Sequence, residues 1–150
     1  MILFALLLGF PGLAPAAPGE SVARVSILAD EVEESCSIDA ILDAIREIES
    51  GGEPNGGRDA TGDRGRAIGP FQIHRAYFQD SEIAGRFEDC REPEFARQVV
   101  LAYWKRWCPA ALESRDAMTL ARVHNGGPKG AQRSTTLPYW SKVESLLGTR

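Results

Sequence analysis

The sequence predicts an α+β fold, mainly helical, with one small β-hairpin excursion, and three observations carry that expectation. Apolar residues recur at helical spacing in separate segments between Ser37 and Leu147. Seven glycines and Pro54 crowd residues 51–69, a composition in which no helix survives. The 150 residues are 43% hydrophobic and 25% charged, which is ordinary for one globular domain with its own core.

Residues 1–17, MILFALLLGFPGLAPAA, begin apolar and end in small residues, the pattern of a signal peptide cut near Ala16 or Ala17. Pro11 breaks the apolar run well short of the roughly 20 residues that span a bilayer. No Lys or Arg precedes the run, so the amino terminus alone supplies positive charge. The expectation is a secreted protein, extracellular or periplasmic, with no membrane association once the leader is removed. Residues 18–36 contain Asp30, Glu31, Glu33 and Glu34 and are expected to be a solvated N-terminal arm or linker, with Val22–Leu28 as a short strand. The domain proper is expected at 37–150.

Ser37 suits an N-cap, with Asp39 in the first turn, where the helix dipole favours an anion. Ile38, Ile41, Leu42, Ile45 and Ile48 follow as an apolar stripe, and Glu49, four residues after Ile45, extends it. Gly51 and Gly52 stop the helix. A carboxyl at the end of a core-facing stripe is partly desolvated, which raises its pKa and suits it to general-acid work. The alternative is a Glu49 turned aside to solvent.

The glycine-rich stretch that follows is expected to form a short hairpin, with turns near Asn55-Gly56 and Thr61-Gly62. It is not a calcium loop: counted from Asp59, the sixth position is Arg64 rather than Gly and the twelfth is Pro70 rather than Glu. Ala76, Tyr77 and Phe78 predict a short helix. Pro93 opens the strongest one, with Phe95, Ala96, Val99, Val100, Tyr103, Trp104 and Trp107 as its core stripe and Pro109 as its stop. Ser114 or Asp116 caps a helix burying Ala117, Met118, Leu120, Ala121 and Val123, which ends at His124-Asn125-Gly126-Gly127-Pro128. A last helix starts near Pro138 and buries Trp140, Val143, Leu146 and Leu147.

A formal net charge of -4 argues against a nucleic-acid partner, and it means that attraction to an anionic surface must be local. Cys36, Cys90 and Cys108 show no metal-ligand spacing, and no metal or organic cofactor is implied. One bridge plus one free thiol, with Cys90–Cys108 as the pair, is one reading; three small buried hydrophobes is the other.

Glu49 and a second carboxylate, Asp63, flanking a cleft would be the minimum apparatus for glycosidic cleavage. Gln72, His74, His124 and Asn125 are candidate sugar contacts, each with an alternative role in loop or cap structure.

Several of these motifs together resemble one family. Glu49-Ser50-Gly51-Gly52, Gly62-Asp63-Arg64-Gly65, Gly69-Pro70-Phe71-Gln72-Ile73, Ala121 to Pro128 (A-R-V-H-N-G-G-P), Thr136-Leu137 and Tyr139-Trp140 resemble the invertebrate-type, destabilase-like lysozymes over about residues 36–147. The resemblance implies a lysozyme-like fold with the hairpin beside the cleft. It implies Glu49 as catalytic acid and Asp63 as second carboxylate, with Asp59 as competitor. The substrate implied is the β-1,4 bond between N-acetylmuramic acid and N-acetylglucosamine in peptidoglycan, or an N-acetylglucosamine-containing oligosaccharide, acted on by a monomer. The three cysteines depart from the cysteine-rich family pattern, and Gly-Asp-Arg-Gly is similar to the goose-type one, so the chain reads as a cysteine-poor, bacterial-looking relative. Two other functions fit these motifs: a lytic transglycosylase using Glu49 alone, and a non-catalytic peptidoglycan-binding domain.

Overall fold

The computed structural model describes residues 37–51 and 53–148. The expected leader, the acidic arm, the Val22–Leu28 strand and Cys36 lie outside the described residues. Helix α1 (Ile38–Ser50) begins as its cap predicts: Ser37 Oγ accepts the Ala40 amide at 3.0 Å. Its stripe of Ile41, Leu42, Ala44 and Ile45 is fully buried.

A three-stranded antiparallel sheet follows, β1 (Thr61–Gly62), β2 (Ala67–Ile68) and β3 (Ile73–His74), in sequence order. Gly62 stands opposite Ala67, and Ala67 opposite His74. Thr61-Gly62 is therefore a strand and not the expected turn; the reversal is made by Asp63–Gly65. Asn55-Gly56 does turn the chain, but in a separate 3-10 turn with both residues left-handed, outside the hairpin.

The remaining helices are α2 (Arg75–Ser81), α3 (Pro93–Trp107), α4 (Pro109–Ser114), α5 (Ala117–Gly126) and α6 (Leu137–Leu147). Pro109 does more than end α3. Cys108 leaves helical geometry (φ -146°, ψ 54°), and Pro109, preset for a first helical position, starts α4. Asp116 caps α5 by accepting the Thr119 amide at 3.1 Å.

Two expected core residues face outward. Trp107, in the last turn of α3, is 38% exposed beneath the Arg106 guanidinium, and Met118 is 41% exposed. At about 100° per residue, Met118 lies roughly 200° around α5 from Leu120, off the buried stripe. In α6 only Val143 is fully buried; Trp140, Leu146 and Leu147 are half-covered.

The Cys90–Cys108 pairing is not formed, and both thiols are free. Cys90 lies just before α3 and Cys108 just after it. A 15-residue helix is about 22 Å long, and a disulfide tolerates at most about 7 Å between Cα atoms. Burial pushes the Cys90 thiol up to about 12 and Cys108 to about 11, so neither is an activated nucleophile.

The end of α1 is tied to the hairpin's return. Ser50 Oγ donates to the Pro70 carbonyl at 2.9 Å in a buried bond. Gly57 (φ +83°) makes room for it, because a Cβ there would stand 2.4 Å from Ser50 Oγ. Gly69 (φ +74°) passes so close to the Cys90 backbone that a Cβ would meet its carbonyl oxygen at 2.0 Å. Gly69→Ala is thus expected to cost about 2 kcal/mol or more and lower Tm by roughly 8 °C or more. A thermal melt checks it.

Candidate active site

The ends of α1 and α5, the sheet and the start of α2 converge on a cavity of about 320 Å³. All six site residues expected from the sequence line it: Glu49, Asp63, Gln72, His74, His124 and Asn125. Gly62, Ala67 and Tyr77 complete the wall. Asp59 is not among the lining residues; it is exposed and accepts a hydrogen bond from Asn55 Nδ2 at 3.2 Å.

Glu49 is delivered by the last turn of α1, and its side chain is only 20% exposed. Burial pushes its pKa above the usual 4.5, and the Tyr139 hydrogen bond and the Lys142 charge pull the other way more weakly. Tyr139 Oη, from α6, donates to Glu49 Oε1 at 2.8 Å. His124 Nε2 stands 3.7 Å from that same oxygen. This contact is not an ion pair, because burial lowers the His124 pKa to about 4 and leaves the imidazole neutral at neutral pH.

His124 is fixed from its other side. Its Nδ1 lies 3.2 Å from Tyr77 Oη in a hydrogen bond, and its ring packs edge-on against Tyr77 and Phe71. Tyr77 in turn stacks on Tyr103 of the core helix, with centroids 3.6 Å apart. Glu49 therefore bonds Tyr139 of α6 and lies beside His124 of α5, which Tyr77 of α2 braces against the hydrophobic core. Burial, with Glu49 adding to it, raises the Tyr139 pKa far above the phenol range, so this hydroxyl acts only as a hydrogen-bond partner.

Asp63 occupies a contrasting setting. Its side chain is 42% exposed, ion-paired to Arg66 at 2.6 Å and 3.9 Å from His74 Nε2. It sits in the hairpin turn with φ 48°, and Gln72, on the return, has φ 46°. A left-handed non-glycine residue costs about 1–3 kcal/mol and concentrates at functional sites, and two of them line this one cavity. Gln72 Nε2 donates to the Gly69 carbonyl at 2.9 Å, which fixes its amide. His74 is the residue before α2 but makes no capping hydrogen bond with its side chain, which is half exposed in the cavity.

The family described as destabilase matches residues 38–146. The chain belongs to the destabilase family. Among proteins similar to this destabilase-family chain is a lysozyme of Magallana gigas, 40% identical over 84 residues, which cover 51% of this chain and 58% of that protein. A lysozyme of Ostrea edulis is 34% identical over 117 residues, covering 74% of this chain and 85% of its own. Among solved structures, Tapes japonica lysozyme superposes with a TM-score of 0.59 at 29% identity, over 69% of this chain and 85% of that one. Meretrix lusoria lysozyme in complex with PliI of Aeromonas hydrophila gives a TM-score of 0.58 at 29% identity, over 70% and 86%. The family's fold, helices with a small sheet beside the cleft, is thus the fold of this chain.

Three residues of this destabilase-family site are absent from the sequence-based set. Tyr139 counts there only as part of a closing motif, Tyr77 only as a helix residue, and Arg66 not at all. The Tyr139 bond lies at a sequence separation of 90 residues, so no local pattern points to it. Its effect is checkable. A hydrogen bond donated to a carboxylate favours the ionised form, so Tyr139→Phe raises the Glu49 pKa further. The basic limb of kcat/KM is expected to move to higher pH, read from a pH–rate profile of wild type and variant.

Proposed function

We propose that this chain is a secreted, monomeric lysozyme that hydrolyses the β-1,4 linkage between N-acetylmuramic acid and N-acetylglucosamine in peptidoglycan. One observation carries the reading: a single cavity holds a desolvated carboxyl, Glu49, and a solvated, ion-paired one, Asp63. Environments that differ in this way let one group stay protonated while its neighbour is ionised, which is the division of labour glycosidic cleavage needs.

Glu49 gives its proton to the bridging oxygen as the bond from that oxygen to the muramic acid C1 breaks. The Asp63 carboxylate meets the positive charge developing at C1, either as a counter-charge or by bonding to it. Water then supplies the hydroxyl at C1, and its second proton restores Glu49. Tyr139 and His124 hold the acid in place. Gln72, His74 and Asn125 present amide and imidazole groups to sugar hydroxyls and N-acetyl groups, and His124, its Nδ1 bonded to Tyr77, has only its Nε2 edge left for a sugar contact. The leader-like composition of residues 1–17 supports the reading of export. Among the described residues, no helix is long and apolar enough to cross a membrane.

The test is the mass of the muropeptides released from purified wall. Hydrolysis adds one water per bond cut and leaves reducing N-acetylmuramic ends, as expected here. Anhydro products would instead assign a transglycosylase, and no products at all would leave only a binding domain.

A further inference from the structure

The charge balance of residues 37–150 differs from that of the whole chain. Residues 37–150 carry 16 acidic and 16 basic side chains, so the excess behind the net charge of -4 lies in residues 1–36. Beside the catalytic cavity is a second hollow of about 420 Å³, lined by Gly65, Arg66, His74, Arg75, Ala76 and Phe87. His74 lines both spaces, and Arg66 reaches back to pair with Asp63. The charged lining of this hollow is arginine, with no carboxylate among its lining residues.

Arg75 is held ready in that wall. Its guanidinium carbon lies 4.5 Å over the Phe87 ring, and one Nη pairs with Glu88 at 3.3 Å, yet the side chain remains 62% exposed. A guanidinium carries five N–H donors, so the Glu88 pair leaves others unengaged. Arg66 and Arg75, in a hollow joined to the catalytic cavity through His74, suit an anion attached to the sugar chain.

We propose that this arginine-lined hollow binds the stem-peptide carboxylates of peptidoglycan, with Arg75 as a specificity-determining residue that favours peptide-bearing wall over neutral N-acetylglucosamine polymers. The inference rests on the muramidase reading above and deepens it. A neutral chitin chain offers only hydroxyls and N-acetyl groups. The muramic acid lactyl arm carries a peptide that ends in carboxylates, the planar acceptors that a guanidinium fork matches. Wall teichoic phosphates carry the same sign of charge, so the experiment separates the two sources.

The probe is sedimentation of the Glu49→Gln protein with three insoluble polymers: peptidoglycan stripped of teichoic acid, the same wall with teichoic acid retained, and chitin. Adding Arg75→Gln is expected to weaken binding to stripped peptidoglycan by about three- to tenfold, with a smaller salt dependence, and to change chitin binding by less than about twofold. Arg75→Lys, which keeps the charge but not the fork, should fall between, and thermal melts of both variants verify folding. Equal losses on chitin and stripped peptidoglycan, or no loss on stripped peptidoglycan, would overturn the proposal. So would a loss confined to wall that retains teichoic acid. Because binding is read in a background that needs no turnover, failure here is separate from failure of the product analysis, which concerns hydrolysis alone.

Discussion

Glu49→Gln is expected to lose cell-wall clearing by about 10²–10⁴-fold while the protein stays folded and still binds wall. The substitution removes the transferable proton and little else. Gln keeps an oxygen that accepts from Tyr139 Oη, and it fits the same half-buried volume at the end of α1. The sign of its effect on stability separates this outcome from simple damage. Burial raises the Glu49 pKa, so wild-type stability is fully present below the carboxyl's ordinary 4.5 and declines as pH rises through the folded-state value. Gln has no proton to lose, so that decline is absent in the variant. Near neutral pH the variant should melt at or above the wild-type temperature, the usual relation between a strained active site and stability. Clearing equal to wild type would remove Glu49 from the chemistry.

Asp63→Asn is the second large effect, with kcat expected to fall by roughly 10²-fold or more as the charge facing C1 is lost. The substitution is clean. Asn tolerates left-handed φ as readily as Asp, so the 48° backbone of the hairpin turn is kept. The Arg66 pair it removes is exposed, and pairs of that kind add little to stability. Asp59→Asn is the control: that residue is exposed, lies outside the cavity and bonds Asn55, so clearing should be unchanged. Indifference to Asp63→Asn would point instead to a mechanism run by Glu49 alone.

His124 adds a second pH effect of opposite sign. Its folded-state pKa is depressed from 6.5 to about 4, so between those values the unfolded chain binds a proton that the native state does not. Stability is expected to fall as pH drops from 6.5 toward 4, and His124→Asn should flatten that part of a plot of Tm against pH.

The parts of the site that were legible in the sequence share a cause: each lies next to a local signal. Glu49 closes an apolar stripe before a glycine stop, Asn125 and His124 stand at a helix end marked by Gly-Gly-Pro, and Gln72 and His74 follow the turn at Gly69-Pro70. The rest depends on chain that is distant in sequence. Tyr139 meets Glu49 only because α6 packs across α1 and α5, and Tyr77 reaches His124 only because α2 lies on the core helix. The hairpin turn departs from its local signal for a related reason. Thr61-Gly62 has turn-like composition, but pairing with Ala67-Ile68 makes it a strand, and the reversal moves to Asp63–Gly65. Cys90 and Cys108 are similar: their separation is set by the length of α3, which the cysteine count does not reveal.

Burial raises the Glu49 pKa in the cavity that it shares with the solvated Asp63. Carbon-13 NMR of protein labelled at glutamate carboxyls, titrated in parallel with kcat/KM, measures that pKa directly. The account predicts one resonance titrating above 4.5, missing from Glu49→Gln, and coinciding with the basic limb of activity. A Glu49 resonance titrating at or below 4.5, with the limb elsewhere, would contradict it.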